Sequence, residues 1–180
     1  GEVVEGLLKY TRKGEEGFEI IDLNKLLDAA LEMVQFKIKL NEMDFVRNFD
    51  DNIPNFQGNF TQMQEVFFNI IDNAYDAMMQ RKNELKEPGY EARLEICADQ
   101  KNRKLEILIK DNGIGVRREN LEKLFTPFFT TKLSSKKGTG LGLYVIRQII
   151  EENHGGKVRF TSQYEKGSQT RILLPIAVKS

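Results

Sequence analysis

With 180 residues, of which 40% are hydrophobic and 30% charged, the chain has the size and composition of one folded soluble domain, not of a disordered or membrane protein. Its 27 basic and 27 acidic residues give a formal net charge of zero, which argues against a nucleic-acid partner. The sequence has no signal-peptide pattern and no apolar stretch long enough to span a bilayer, so we expect no direct membrane contact from it.

The first third of the chain predicts helices and short strands. Glu2–Lys13 has apolar residues on one face and ends at basic residues before a glycine, which is typical of the last turn of a helix. A strand is predicted at Phe18–Leu23, a helix at Asn24–Met43 and a second strand at Asp44–Phe49. The apolar face of the helix comprises Leu26, Leu27, Ala30, Leu31, Val34 and Ile38.

The middle of the chain predicts one long helix and one hairpin. Pro54 and Gly58 mark a turn, and apolar residues at three- and four-residue intervals then predict a helix over Thr61–Lys82. Two strands follow at Glu91–Ala98 and Leu105–Lys110, joined by a turn at residues 99–102. The single cysteine, Cys97, excludes an internal disulfide and is predicted to be buried in the first of these strands.

The end of the chain predicts a third long helix and a final hairpin. The helix covers Leu141–Asn153 and ends at His154–Gly156, and the strands cover Lys157–Ser162 and Thr170–Leu174. Strands and helices in this order predict a two-layer α/β (α+β) sandwich, in which helices cover one face of a mixed sheet. We assign His154, the only histidine, to a capping or packing role rather than to catalysis.

Two asparagines share one side of the helix predicted at Thr61–Lys82. Asn69 and Asn73 are four residues apart, so their side chains point the same way, and Asp76 follows about one turn later. A carboxamide oxygen is a suitable ligand for Mg²⁺, which usually keeps several waters and binds substrate phosphates. For two asparagines alone, an ordinary solvated helix face is the favoured interpretation.

Asp111–Gly115 directly follows a predicted strand. A carboxylate there can accept a hydrogen bond from an exocyclic amine such as that of adenine, and the glycines allow the backbone to approach a flat base. Asp, Asn and Gly are also the usual residues of a strand-ending turn, so this block alone is weak evidence.

Two further blocks precede and open the last helix. Phe125–Lys132 combines apolar anchors with a terminal cation, which is typical of a loop fixed at one end or of a hydrophobic plug. In Lys137–Leu143, glycines and the free N–H groups of a helix start favour phosphate, although a glycine-rich hinge is the alternative. The block has neither a Walker ending nor the preceding strand of a dinucleotide fingerprint. Lys132, Lys136 and Lys137 predict a lid over polyphosphate.

In this order the blocks resemble the four boxes of the catalytic, ATP-binding domain of bacterial sensor histidine kinases, within the GHKL ATPases that also include gyrase, MutL and heat-shock chaperones. The resemblance covers Phe18–Pro175 and implies the Bergerat fold, with a mostly antiparallel sheet covered by three helices. Asn73–Met78 and His154–Gly156 resemble the nitrogen-regulation-type subgroup. The boxes are the N box (Asn69–Ala74), the first glycine box (Asp111–Gly115), the F box (Phe125–Lys132) and the second glycine box (Gly138–Leu143).

The resemblance implies a role for each matching residue. Asn73 would bind the Mg²⁺ that bridges the phosphates, and Asp111 would pair with adenine. Asn69 falls where hydrolytic members carry a catalytic Glu, and an amide cannot act as a general base for water, so phosphoryl transfer is favoured over hydrolysis. The implied catalytic residues are Asn69, Lys132 and Lys137, and the two lysines would lie near the γ-phosphate. The implied nucleotide site comprises Asn69, Asn73, Asp76, Ala77, Asp111, Gly113, Ile114, Gly115, Phe125, Thr130, Thr131, Gly138, Thr139, Gly140, Leu141, Gly142 and Leu143.

Two features depart from the family pattern. Many relatives have Lys or Arg where this chain has Asp76, so that phosphate contact must come from elsewhere or be missing. The phosphoacceptor histidine of the family lies on a preceding helical dimerisation domain, and only residues 1–14 resemble the end of that domain, whereas residues 15–180 match the catalytic domain.

The implied partners are ATP or ADP with Mg²⁺, the protein's own phosphoacceptor domain and a response regulator receiver domain. We expect a cytoplasmic location, whether the parent protein is soluble or membrane-anchored. Two other functions stay open: a nucleotide-sensing GHKL module without phosphotransfer, which Asp76 favours, and a GHKL hydrolase or protein serine kinase. Asn69 argues against the hydrolase.

Overall fold

The computed structural model describes residues 17–36, 42–124 and 142–176. None of the helices within these ranges is both long and apolar enough to cross a membrane. The strands are β1 (Phe18–Ile21), β2 (Asp44–Phe49), β3 (Phe56–Asn59), β4 (Arg93–Lys101), β5 (Lys104–Asp111), β6 (Lys157–Gln163) and β7 (Gly167–Pro175). The helices are α1 (Leu23–Gln35), α2 (Phe60–Leu85), α3 (Arg118–Leu121) and α4 (Gly142–Arg147), and α4 continues as a π-helical segment, Gln148–Asn153.

Five strands form one mixed sheet in the order β2-β4-β5-β7-β6. The β2–β4 pair is parallel, and the other three neighbouring pairs are antiparallel. A separate antiparallel pair is formed by β1 and β3. The predicted mixed, mostly antiparallel sheet is therefore confirmed.

One face of the five-stranded sheet packs against the helices. Alternate residues of the strands point inward, as the two-residue period of a strand requires. These side chains and the apolar stripes of α1, α2 and α4 form one buried cluster, which confirms the two-layer architecture. The inward sheet residues are Leu94, Ile96, Ala98, Leu105, Ile107, Ile109, Val158, Ile172 and Leu174.

Helix α2 carries the N box through the centre of the domain. The side chain of Asn59 caps its start by accepting a hydrogen bond from the Gln62 N–H at 3.0 Å. Lys86, with a φ of +47°, ends it in the left-handed conformation. The helix is therefore a little longer at both ends than the predicted Thr61–Lys82, because the cap residues lie outside the apolar repeat.

Four sequence predictions are corrected by the structure. The turn predicted at residues 99–102 is shorter and lies at residues 102–103, because β4 continues to Lys101 and pairs with β5. Phe56–Asn59 forms strand β3, where the sequence suggested only a turn, because β1 provides its pairing partner. Helix α1 ends at Gln35 instead of near Met43, which lies directly before β2. Cys97 is only partly buried, because it points to the sheet face opposite the core. The helix predicted over Glu2–Lys13 lies outside the described residues.

His154 joins the end of the last helix to the start of α2. His154 is 7% exposed, and its ring stacks on Phe18 with ring centroids 4.8 Å apart. The Asn59 N–H donates to Nε2 at 3.0 Å, so Nδ1 carries the proton and donates to the Ile149 carbonyl at 2.8 Å. A Cβ on Gly58 would lie 2.8 Å from the ring, so glycine is required there. These contacts confirm the predicted packing role.

We expect His154→Phe to lower the free energy of unfolding by about 2 kcal/mol, because the partly buried Asn59 N–H and the buried Ile149 carbonyl lose their hydrogen-bond partner. Burial lowers the pKa of His154 below 6.5. The neutral ring therefore stabilises the fold fully above pH 6.5, and this contribution is lost as the pH falls through the lowered folded-state pKa. Urea unfolding of both proteins at pH 7.5 and 5.5 tests this, and an equal difference at both values would contradict it.

Candidate functional site

The start of α4 approaches the N box on α2. A Cβ added to Gly142, the first residue of α4, would lie 3.4 Å from the Asn73 amide nitrogen. Asn69 and Asn73 are both partly buried and lie one turn apart on α2. The described end of the second glycine box therefore lies against the N box.

The first glycine box contacts the same helix one turn further along. The Ile114 N–H donates to the Ala77 carbonyl at 2.9 Å. A Cβ on Gly113 would lie 2.7 Å from the Ala77 backbone, so only glycine allows this approach of the turn to α2. Three of the four blocks therefore meet along one side of α2, between Asn73 and Ala77.

Asn112 fixes the turn to the adjacent strand. Its amide nitrogen donates to the Glu91 carbonyl at 2.7 Å, and its amide oxygen accepts from the Arg93 N–H at 2.8 Å. Its backbone carbonyl accepts from the Tyr90 hydroxyl at 2.8 Å. The side chain of Asn112 therefore has a structural role, and Asp111 is the side chain of this turn that remains for a ligand.

The Asp111 carboxylate is largely enclosed, although the residue as a whole is only partly buried. Its Oδ1 accepts the Gly113 N–H at 2.8 Å. Burial raises the pKa of Asp111 to about 6, against the opposing effect of backbone N–H donors from Gly113 and Ser168. A desolvated carboxylate of this kind gains from a ligand that donates a hydrogen bond to it.

Gly115 lies against the hairpin between β6 and β7. Its φ is +75°, and a Cβ there would lie 2.3 Å from the Gln163 carbonyl oxygen. The Glu165 N–H donates to the Ile114 carbonyl at 2.5 Å. The backbone of the first glycine box is thus fixed between α2 and this hairpin.

The structure places ten of the predicted site residues. Among these ten residues, Asp76 has one buried carboxylate oxygen, and Leu143 packs against the hydrophobic core. The ten are Asn69, Asn73, Asp76, Ala77, Asp111, Gly113, Ile114, Gly115, Gly142 and Leu143. Nine others lie outside the described residues: Phe125, Thr130, Thr131, Lys132, Lys137, Gly138, Thr139, Gly140 and Leu141.

Sequence reasoning missed two residues that contact the first glycine box, Arg81 and Tyr90. The Arg81 guanidinium donates to the Asn112 carbonyl at 3.1 Å and lies 4.9 Å from the centroid of the Tyr90 ring. An arginine near the end of an amphipathic helix gives no signal of such contacts, because solvent-exposed arginines occupy the same positions.

Comparison with known proteins finds relatives of similar sequence. The chain is 30% identical to sensor histidine kinase ZraS of Escherichia coli (strain K12) over 176 residues, which are 98% of this chain and 35% of ZraS. The chain therefore spans about a third of that relative's length.

Two solved structures are similar in fold. The catalytic domain of histidine kinase ThkA aligns with a TM-score of 0.70 and 28% identity, over 88% of this chain and 97% of that domain. ThkA in complex with the response regulator protein TrrA aligns with a TM-score of 0.68 and 25% identity, over 98% of this chain and 47% of that chain.

The family model for histidine kinase-, DNA gyrase B- and HSP90-like ATPases matches residues 58–178. The matched region begins before α2 and contains the N box, both glycine boxes and the F box. Since it covers more than half of the sequence, this chain belongs to the histidine kinase-, DNA gyrase B- and HSP90-like ATPase family.

Proposed function

We propose that this chain is the ATP-binding catalytic domain of a two-component sensor histidine kinase. It would transfer the γ-phosphoryl group of ATP to a histidine on a helical phosphoacceptor domain. The observation that carries this proposal is the convergence of three sequence blocks on α2 between Asn73 and Ala77. The alignment with nearly the whole ThkA catalytic domain supports the kinase branch of the family, and the ThkA–TrrA complex supports a response regulator as partner.

Adenine would bind at the Asp111 end of this site. The carboxylate accepts the Gly113 N–H through Oδ1 and also a backbone N–H from Ser168, and its remaining lone pairs would accept a hydrogen bond from the exocyclic amine of adenine. A purine with a carbonyl group in place of this amine would put a hydrogen-bond acceptor opposite the Asp111 carboxylate, which is itself an acceptor. We therefore propose that Asp111 selects ATP over GTP.

The phosphates would bind between Asn73 and the start of α4. Successive helix-start N–H groups and the helix dipole favour phosphate beside Gly142. The Asn73 amide oxygen suits Mg²⁺, which commonly takes one or two protein oxygens together with substrate phosphates and waters. When bound with the nucleotide, the metal would supply charge neutralisation at the phosphates.

The nucleophile would come from the phosphoacceptor domain. Asn69 cannot accept the proton of an attacking water as a Glu would, so the site favours transfer to a positioned histidine over hydrolysis. Lys132 and Lys137, which lie outside the described residues, remain our candidates for stabilising charge on the γ-phosphate.

We expect Asn73→Ala to reduce Mg-ATP affinity at least tenfold, to the value that the wild type shows without Mg²⁺, because the protein loses a metal ligand. Calorimetric titration of ATP with Mg²⁺ and with a chelator measures this difference. Asn83→Ala, an exposed substitution near the end of the same helix, serves as the matched control. An unchanged response of Asn73→Ala to Mg²⁺ would remove this residue from the metal site.

Phosphotransfer is tested by adding radiolabelled ATP and a histidine-bearing helical domain from the same protein. Acid-labile, base-stable label on that domain is the result expected for a histidine kinase. Nucleotide binding without any label would favour a nucleotide-sensing module. Phosphate release without an acceptor would favour a hydrolase and contradict the role given to Asn69.

A further inference from the structure

One guanidinium group contacts both the first glycine box and the β6–β7 hairpin. Nη1 of Arg81 donates to the Asn112 carbonyl at 3.1 Å, to the Gly113 carbonyl at 3.5 Å and to the Lys166 carbonyl at 3.1 Å. Arg81 extends from α2 one turn beyond Ala77, so the helix that contacts the turn through its backbone also contacts it through this side chain.

The guanidinium is itself held in one orientation. Glu87 accepts from Nε at 2.7 Å and from Nη2 at 3.1 Å, which is the two-point geometry that arginine forms with a carboxylate. The other side of the group faces the Tyr90 ring at 4.9 Å, and the Tyr90 hydroxyl donates to the same Asn112 carbonyl that Arg81 contacts. The Arg81 side chain is only 13% exposed, so solvent competes little with these contacts.

Arg81 contacts residues that orient the Asp111 side chain. The Gly113 N–H donates to the Asp111 carboxylate, and the Gly113 carbonyl faces Arg81. Rotation of the turn would therefore change the direction of the carboxylate and the distance to the guanidinium together. Such a coupling is expected of a residue that sets the position of a binding group.

We infer that Arg81 is a positioning residue for base recognition, which holds the first glycine box so that Asp111 faces the exocyclic amine of the purine. This inference rests on the proposed function. Lysine cannot replace arginine here, because one ammonium group cannot contact three carbonyls and bind both oxygens of Glu87 at once. Arg81 acts through Asp111 and the turn, without touching the nucleotide.

The test compares Arg81→Lys and Arg81→Met with the wild type by calorimetric titration of Mg-ATP, Mg-GTP and magnesium tripolyphosphate. We expect both variants to bind ATP about tenfold more weakly, as for one misplaced hydrogen bond to a charged group, with the ATP-to-GTP affinity ratio falling toward one. Tripolyphosphate affinity should stay within about twofold of the wild type, because it lacks the base.

The matched control is Arg171→Met, which removes the pairing of Arg171 with the buried Glu106 on the sheet face opposite the helices. It should lower the melting temperature without changing the ATP-to-GTP ratio. An unchanged ratio in both folded Arg81 variants would overturn the inference, and Arg81→Lys provides the test if Arg81→Met does not fold. A wild type that does not prefer ATP to GTP would instead overturn the proposed recognition of adenine by Asp111, and with it this inference.

Discussion

Asp111→Asn is expected to lower ATP affinity about a hundredfold, because a charge-assisted hydrogen bond in an enclosed site contributes about 3 kcal/mol. The asparagine oxygen would remain on the Gly113 N–H, which Oδ1 of Asp111 accepts at 2.8 Å. Its NH₂ group would then face the exocyclic amine of adenine, so two donors would oppose each other. Calorimetric titration with ATP measures the loss.

The same substitution should change how stability depends on pH. Burial raises the pKa of Asp111 to about 6 from an ordinary 3.8. The folded state therefore binds a proton on Asp111 more tightly than the unfolded state does. The stability that this protonation contributes is complete below pH 3.8 and is lost as the pH rises through about 6. The ionised carboxylate therefore costs the nucleotide-free domain of order 2 to 3 kcal/mol at neutral pH.

Asparagine does not titrate, so Asp111→Asn does not have this cost at neutral pH. The free energy of unfolding of Asp111→Asn minus that of the wild type should therefore increase by about 2 to 3 kcal/mol between pH 4 and pH 7.5. Urea unfolding at both values of pH measures the increase. Asp44→Asn, at the exposed first residue of β2, controls for removal of a surface charge. A difference that does not vary with pH would show that Asp111 is not desolvated in the folded state.

Local patterns in the sequence predicted the main elements because their causes are local. The apolar repeat from Met63 to Met78 faces the core on α2, and alternation from Leu94 to Ala98 gives the inner face of β4. The same spacing placed Asn69 and Asn73 on one side of the helix. The convergence of three blocks followed from their order along a known family pattern, which periodicity alone does not supply.

The features that the sequence did not predict depend on contacts between distant residues. Strand β3 is short and contains Gly58, so its sequence alone is typical of a turn. It forms a strand because β1 pairs with it. Gly58 itself is required by the ring of His154, which is 96 residues further along the chain. The contacts of Arg81 with the Lys166 carbonyl are likewise non-local. Side-chain periodicity contains no information about such pairs.

Gly115→Ala is expected to destabilise the domain strongly, through backbone strain and a steric clash together. The φ of +75° alone costs an L-residue about 1 kcal/mol or more. In addition, the new Cβ would lie 2.3 Å from the Gln163 carbonyl oxygen and 2.8 Å from the carbonyl carbon. Both are backbone atoms, so the hairpin or the turn has to move, and we expect a total loss of about 3 to 4 kcal/mol.

Gly89→Ala separates the steric effect from the backbone strain. Gly89 has a φ of +78°, close to that of Gly115, but no atom lies within 4 Å of its added Cβ. We expect it to cost only about 1 kcal/mol, with normal ATP affinity. Urea unfolding of both variants gives the difference, and equal losses at the two positions would contradict the observed packing of the first glycine box on the hairpin.

Gly115→Ala also provides a test of the link between the hairpin and Arg81. The hairpin that Gly115 contacts at Gln163 presents the Lys166 carbonyl to the Arg81 guanidinium, so moving the hairpin away should already break that hydrogen bond. The combination of Gly115→Ala with Arg81→Met should therefore cost less than the sum of the two single losses, by about 0.5 to 1 kcal/mol. The cycle is measured by urea unfolding at pH 7.5. Additive losses would mean that α2 holds the turn and the hairpin independently, through Ala77 and Arg81 respectively.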